Sequence, residues 1–370
     1  MNLLITGGAG FIGSNFVRYI LKKYPRYKVI ILDKLTYAGN LDNLKQFLNP
    51  DNLYLNKDYL TKYPHHLVDE LKVSFPSNDF LFIQGDICDA ELVGRIFSRV
   101  DVVVNFAAET HVDRSIMEAG SFVTTDVYGT YVLLEAAKKY RIRRYIQIST
   151  DEVYGEAIDF PSREDAPLNP KSPYAASKAG GDRLAFSYWA TYNLPIIVTR
   201  CVNNFGPYQF PEKLIPLFIT NALKGKPLPV YGDGKNTREW IYAEDHCRAL
   251  DIIMHSQDGV GEVFNIGSGI EKSILDITKI ILKVLGKPDT LIQFVKDRAG
   301  HVRRHAVDTE KMRKKFNWSP QIDFEEGMER TVRWYVKNKS WWREIKEKSK
   351  DYQEYYQKQY ILRERTKKQD

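Results

Sequence analysis

Leu3-Leu4-Ile5-Thr6-Gly7-Gly8-Ala9-Gly10-Phe11-Ile12-Gly13 reads as an apolar strand, then glycines at 7, 10 and 13, then an apolar helical pattern reaching Ile20 and Leu21. Gly7 permits a tight turn, Gly10 lets the backbone approach a pyrophosphate, and Gly13 allows a helix to pack closely on the strand. The free N–H groups at the helix start attract phosphate charge. A second strand, Val29-Ile30-Ile31-Leu32, ends in Asp33, twenty residues beyond Gly13. A carboxylate there is expected to hold the adenosine ribose hydroxyls and to repel a 2′-phosphate, which favours NAD over NADP as cofactor.

The pattern continues outward from this turn. Leu81-Phe82-Ile83, Val102-Val103-Val104-Asn105-Phe106, Tyr145-Ile146-Gln147-Ile148-Ser149 and Ile196-Ile197-Val198-Thr199 read as short buried strands, separated by helical stretches such as Tyr128 to Tyr140. The expected class is α/β: a Rossmann-type doubly wound parallel sheet with a smaller mixed α/β substrate-binding lobe. Residues 1–202 are assigned mainly to the NAD-binding domain and 203–340 mainly to the second lobe, with Val263-Phe264-Asn265-Ile266 a candidate to return to the first. Residues 341–370 form a helix or tail. Helices are expected over Lys213 to Leu223, Glu244 to His255 and Ser273 to Leu285. The polar stretch from Asn49 to Asn78 breaks the rhythm and reads as an insertion, helical around His66 to Leu71.

Bulk properties narrow the function. A chain of 370 residues has room for two cooperating lobes. It has no eighteen-residue apolar run, and the first strand begins at once, so neither a membrane span nor a signal peptide is expected and the cytoplasm is the expected location. Cys88, Cys201 and Cys247 are far apart and lack metal-ligand spacing, so reduced structural thiols are expected and no metal. The formal charge of +7 is spread along the chain, which points to solvated surface and away from nucleic acid. Part of it, at Arg238, Arg298, Arg303 and Arg304, is placed to meet an anionic small molecule.

Tyr174-Ala175-Ala176-Ser177-Lys178 carries the chemistry. The four-residue spacing puts both polar side chains on one helix face. A nearby ammonium is expected to lower the tyrosine pKa, letting Tyr174 accept a proton from an alcohol as hydride leaves carbon.

With the glycine-rich start and this pair, the chain resembles the extended short-chain dehydrogenase/reductase family. The resemblance sharpens at Ser149-Thr150-Asp151-Glu152-Val153-Tyr154-Gly155, because the family's nucleotide-sugar 4,6-dehydratases carry the acidic pair after the threonine and its epimerases generally lack it. The segments from Phe106 to Ser115, Asn203 to Pro216 and Asp297 to His301 are similar to the dTDP-glucose 4,6-dehydratase branch, and the likeness runs from residue 1 to about Trp342. It implies catalytic roles for Thr150, Asp151, Glu152, Tyr174 and Lys178. It implies cofactor contacts at Gly7, Gly10, Phe11, Ile12, Gly13, Asp33, Lys34, Thr36, Asp86, Ile87, Phe106, Ala107, Ala108, Thr125 and Asn204, besides Tyr174 and Lys178. Sugar-nucleotide contacts are implied at Thr110, Thr150, Asn203, Lys213, Leu214, Pro229, Tyr231, Arg238, Asn265, Asp297, Arg298 and His301.

The implied reaction takes dTDP-glucose to its 4-keto-6-deoxy derivative and water, with NAD borrowed and returned, in a homodimer. A dehydratase for UDP-glucose or another nucleotide sugar, a 4-epimerase and a non-catalytic NAD-binding scaffold are the alternatives. Three features depart from the pattern: Asp126 stands where the family usually has Asn, Ala299 replaces the usual Pro, and the 49–78 insertion is long. His65-His66 reads as a surface pair, His301 and His305 as anion or solvent contacts, and Gly232-Asp233-Gly234 as a turn beside the nucleotide pocket.

Overall fold

The computed structural model describes residues 1–49, 51–55, 80–298 and 300–362. Most of the expected insertion, with its helix around 66–71 and the His65-His66 pair, lies outside the described residues, as does Ala299.

In chain order the strands are β1 (Asn2–Thr6), β2 (Lys28–Asp33), β3 (Leu53–Tyr54), β4 (Phe80–Gln84), β5 (Val102–Asn105), β6 (Arg144–Thr150) and β7 (Ile196–Cys201). They continue with β8 (Asn203–Phe205), β9 (Leu228–Tyr231), β10 (Thr237–Tyr242), β11 (Val263–Ile266), β12 (Glu271–Ser273), β13 (Ile292–Val295) and β14 (Arg304–His305). Eight of them make one parallel sheet in the order β11-β7-β6-β5-β1-β2-β4-β3. Helices cover both faces, so its strands are apolar in both directions. Leu3, Ile5, Val29 and Ile31 pack with Phe16, Val17 and Ile20 of the helix Phe11–Lys23. Leu4, Ile30 and Leu32 point the other way, among Leu92 and Ile96 of the helix Ala90–Phe97 and Leu133 and Leu134 of the helix Thr130–Tyr140.

Strand order reverses between β1 and β5, and this opens the crevice where doubly wound sheets bind ligands. Polar groups buried next to it are satisfied across strands: Thr6 donates to Asn105 at 2.6 Å, and Asn105 donates to Gln147 at 3.0 Å. The return of Val263–Ile266 to the sheet as β11, paired with β7, places a segment from the second half of the chain at its edge.

The second lobe holds β10 between β12 and β14, with β8 also paired to β10, and a β9/β13 pair. Its core joins Phe218, Ile277, Ile281, Met328 and Trp342. Ser273 caps the helix Ile274–Leu285 through a reciprocal capping box with Asp276. The C-terminal helices Lys339–Lys348 and Lys350–Tyr356 pack back onto both lobes: Trp341 donates to Asn43 at 3.0 Å, and Trp342 donates to the Tyr335 carbonyl at 2.8 Å. No helix among the described residues is long and apolar enough to cross a membrane.

Candidate active site

A cleft of about 420 Å³ runs from the β1 turn across the carboxyl ends of the strands into the second lobe. At its first end Gly7 sits at φ +66°, and a Cβ there would stand 2.7 Å from the Ala107 nitrogen; a Cβ on Gly13 would stand 2.3 Å from the Gly7 carbonyl oxygen. Both glycines are demanded by backbone packing. The helix Phe11–Lys23 begins with no side-chain cap, leaving its first N–H groups to face the cleft.

Asp33 ends β2 with both carboxylate oxygens on backbone amides, Ala9 at 2.8 Å and Leu35 at 2.8 Å. Burial raises its pKa while these two hydrogen bonds oppose the rise. Lys34 pairs with Asp86 at 2.7 Å. All seventeen residues read as cofactor contacts line this cleft, including Thr36, Ile87, Phe106, Ala108, Thr125 and Asn204.

The middle of the cleft brings together three segments. The strand β6 ends at Thr150, whose hydroxyl accepts the Glu152 N–H at 3.3 Å and starts the short helical turn Asp151–Tyr154. Thr150 also donates to Asp151 at 3.1 Å, while the second Asp151 carboxyl oxygen is buried without a partner. Burial, then the nearby Glu152 and Glu239, push the Asp151 pKa up to about 8. Glu152 lines the cleft; Asp151 lies buried beside it and not in its wall.

The helix Pro173–Tyr192, capped by Ser172 with proline at its first position, supplies Tyr174 and Lys178. Lys178 donates to the Ile148 carbonyl of β6 at 2.7 Å. The Tyr174 pKa is raised, not lowered as the spacing to Lys178 predicts. Burial, followed by the charges of Glu152, Asp126 and Asp151, holds the phenol well above its usual range, with the Thr150 hydroxyl opposing the rise. Burial lowers the Lys178 pKa.

The far end lies in the second lobe. Lys213 donates to Thr110 at 3.2 Å, and burial pushes its pKa down to about 8. Arg238 is held by the carbonyls of Thr237 at 2.7 Å and Val302 at 3.0 Å, with its pKa brought down by burial to about 10. Arg298 pairs with Asp113 at 3.2 Å, and His301 contacts Asp297 at 2.5 Å. Asn203, Leu214, Pro229 and Tyr231 complete this wall.

Two expected substrate contacts stand elsewhere. Asn265, on β11, is fully buried: it donates to the carbonyls of Ser162 at 2.9 Å and Asp308 at 3.1 Å and accepts the Tyr154 hydroxyl at 2.8 Å. Its amide is therefore spent on bracing β11. Asp297 is outside the cleft wall and contacts His301, which lines it. Arg303 and Arg304 are likewise committed to Asp233 at 2.9 Å and Glu271 at 2.7 Å. His305 is buried, and burial pushes its pKa well down, so it is no solvent contact. Gly232 and Gly234, at φ +57° and +70°, form the expected turn.

Sequence reading missed His111, Asp113, Trp240, His246 and Tyr360 in the cleft wall. His111 and Asp113 sit within the Phe106 to Ser115 segment, but the His111 backbone at φ +98° and the Asp113–Arg298 pair exist only in three dimensions. Tyr360 arrives from the C-terminal segment, which is tied down where Arg114 joins Glu212 at 2.8 Å and Asp351 at 2.7 Å. Gln359 adds a hydrogen bond to the Tyr231 hydroxyl at 2.7 Å. Nothing in the sequence marks that tyrosine. Among the described residues no three His, Cys, Asp or Glu side chains are grouped to hold a metal. The cysteines are free, and burial lifts the Cys201 pKa well above its usual range, which leaves it a poor nucleophile.

Comparison with known proteins agrees with this geometry. A family model described as GDP-mannose 4,6 dehydratase matches residues 4–331. The low-salt glycan biosynthesis protein Agl12 of Haloferax volcanii is 50% identical over 336 residues, covering 91% of this chain and 99% of that protein. The dTDP-glucose 4,6-dehydratase of Streptomyces niveus is 44% identical, covering 94% of this chain and 96% of that protein. The crystal structure of DesIV, a dTDP-glucose 4,6-dehydratase from Streptomyces venezuelae with NAD bound, superposes with a TM-score of 0.83 at 45% identity, covering 93% of this chain and all of that one.

Proposed function

The chain belongs to the GDP-mannose 4,6 dehydratase family, and from that premise we propose that it dehydrates dTDP-glucose to dTDP-4-keto-6-deoxyglucose in deoxysugar nucleotide biosynthesis, using NAD. The observation that carries the reading is the convergence of Tyr174, Lys178 and Thr150 with the adjacent acids Asp151 and Glu152 midway between a dinucleotide turn and a cationic wall.

The residues present fit NAD. Gly7, Gly10 and the uncapped helix start cradle a pyrophosphate, and Asp33 and Lys34 stand at the adenosine end. NAD bound there supplies the hydride acceptor for C4 and the donor for C6. Tyr174, with Thr150 beside it, takes the O4 proton, and Lys178 lends positive charge to the resulting phenolate. The C4 ketone acidifies the hydrogen on C5, which Glu152 removes. Asp151, which keeps its proton near neutral pH, gives it to the departing C6 hydroxyl and water leaves; as C6 is reduced, Glu152 returns a proton to C5. Arg238, Arg298 and Lys213 offer donors to the diphosphate, while Pro229, Leu214 and Tyr231 give the base a flat apolar slot.

The assembly proposed is a homodimer. Ile116, Met117, Val123, Tyr128, Tyr131 and Tyr192 are exposed on the helical segments 112–140 and 173–192, an apolar patch suited to isologous packing. Action in the cytoplasm is part of the proposal, supported by three free cysteines and a soluble nucleotide-sugar substrate.

Mass spectrometry of products from dTDP-glucose, UDP-glucose and GDP-mannose tests the reading. The expected product of dTDP-glucose is lighter by one water. A product of unchanged mass marks an epimerase, and preference for another base overturns the substrate assignment.

A further inference from the structure

Asp126 lies outside the cleft wall yet accepts the hydroxyl of Ser177, which stands between Tyr174 and Lys178 on their helix. It sits in the π-helical turn Val123–Gly129, against which the helix Pro173–Tyr192 packs at glycine: a Cβ on Gly181 would stand 2.6 Å from the Asp126 carbonyl oxygen. That close approach brings the carboxyl, 3% exposed, onto the helix bearing Tyr174 and Lys178. One oxygen accepts the Glu109 N–H at 2.9 Å and the other the Ser177 hydroxyl at 2.6 Å.

The charged groups around it come from every packed element. Lys178 and Tyr174 face it from the helix, Glu109 from the loop after β5, and Glu152 and Asp151 act on the same phenol from the turn after β6. A negative charge at Asp126 favours the Lys178 ammonium and opposes the Tyr174 phenolate. Burial pushes the carboxyl itself up to about 6, with Lys178 and Ser177 pulling it down, so it is ionised at neutral pH.

We propose that Asp126 is a positioning residue of the proton relay: its buried carboxylate sets the charge state of the Tyr174–Lys178 pair, so that the first proton abstraction takes place at higher pH than beside a neutral amide. This rests on the reading of Tyr174 as the proton acceptor. Asparagine preserves the local geometry. Its oxygen accepts from Glu109 and its amide donates to Ser177, whose hydroxyl then donates to the Tyr174 carbonyl, already 2.9 Å away. Asp126→Asn therefore removes charge and little else.

The test uses NAD-loaded enzyme and two readouts. The first follows the Lys178 ¹³Cε resonance against pH without substrate, assigned by its loss in Lys178→Met. The second is the pH profile of NADH formation on adding dTDP-glucose. In Asp126→Asn the Lys178 midpoint is expected to fall by about 1 pH unit, and the acid limb of the rate to move down by a similar amount. Asp126→Ala, which also loses both hydrogen bonds, is expected to show the same shifts with lower thermal stability. An unmoved Lys178 midpoint in Asp126→Asn overturns the proposal, as does a rate loss equal at every pH. A midpoint that moves while the acid limb stays in place supports the charge control by Asp126 and refutes Tyr174 as the acceptor.

Discussion

Lys178 and Ile148 are joined by a hydrogen bond of 2.7 Å from the buried ammonium to the backbone carbonyl of β6. This contact locks the tyrosine-bearing helix to the strand whose end supplies Thr150, Asp151 and Glu152. Lys178→Met keeps most of the side-chain volume but removes that hydrogen bond. We expect a destabilisation of about 1–3 kcal/mol. NADH formation in a single turnover should fall on the order of a hundredfold or more. Urea denaturation and stopped-flow absorbance measure the two effects separately.

In the proposed mechanism Tyr174 and the acidic pair act at different stages, so their variants should separate. Tyr174→Phe is expected to give little NADH on adding substrate. Asp151→Asn and Glu152→Gln should still oxidise C4 and reverse, while dehydration falls by about a hundredfold or more. Single-turnover absorbance combined with deuterium incorporation at C5 distinguishes them. Dehydration at the parental rate in both acid variants refutes the elimination mechanism.

Asp151 makes the protein's stability depend on pH. Its folded-state pKa, about 8, lies above the ordinary 3.8, so the folded form binds the extra proton between those values. Stability from this group is fully present below pH 3.8 and is lost as pH rises toward 8. Asp151→Asn, which cannot ionise, should therefore gain stability relative to the parent as pH rises across this window, reaching a few kcal/mol, about 1.4 for each pH unit fully spanned. Parallel melts at pH 5 and pH 8 check the trend. The parental dehydration rate is also expected to decline above pH 8, as the acid loses its proton.

Asp33 links the glycine turn to the loop after β2 by accepting the Ala9 and Leu35 N–H groups, at the end of the cleft proposed to hold the cofactor's ribose. The protein should purify with NAD or NADH, identified by chromatography after denaturation. Asp33→Asn should weaken NAD binding by about tenfold or more and narrow the preference over NADP. Recovery of NADP alone from the parent contradicts the assignment.

Met117 and Tyr131 sit in the exposed apolar patch on the helices proposed to pair. Replacing both by glutamate should convert a homodimer to a monomer in light scattering, because the isologous interface would then bury four unpaired carboxylates. A parental monomer at all working concentrations removes the dimer proposal.

Local chemistry made much of this molecule legible. Gly7, Gly10 and Gly13 follow an apolar strand and open a helix, the context a dinucleotide-binding turn needs, and Tyr174 and Lys178 share a helix face because four residues make about one turn. Strand identity was readable too, since β1, β2 and β5 carry apolar runs buried on both faces, and β6 and β7 keep buried apolar residues around Gln147 and before Thr199. Contacts distant in sequence were a different matter. The sequence alone could not separate Asn265, whose amide braces β11, from Asn203, which lines the cleft, because each role depends on neighbours from other segments. Tyr360 reaches the cleft because Arg114 anchors Asp351 from 237 residues away. The Tyr174 pKa followed the same rule: a lysine four residues on predicted a fall, while burial and three carboxylates gathered by the fold produced a rise. Spacing along the chain determined which groups the protein carries and which face of each element they share. The tertiary structure alone decided their solvation and the charges around them, since both depend on which distant segments are packed against them.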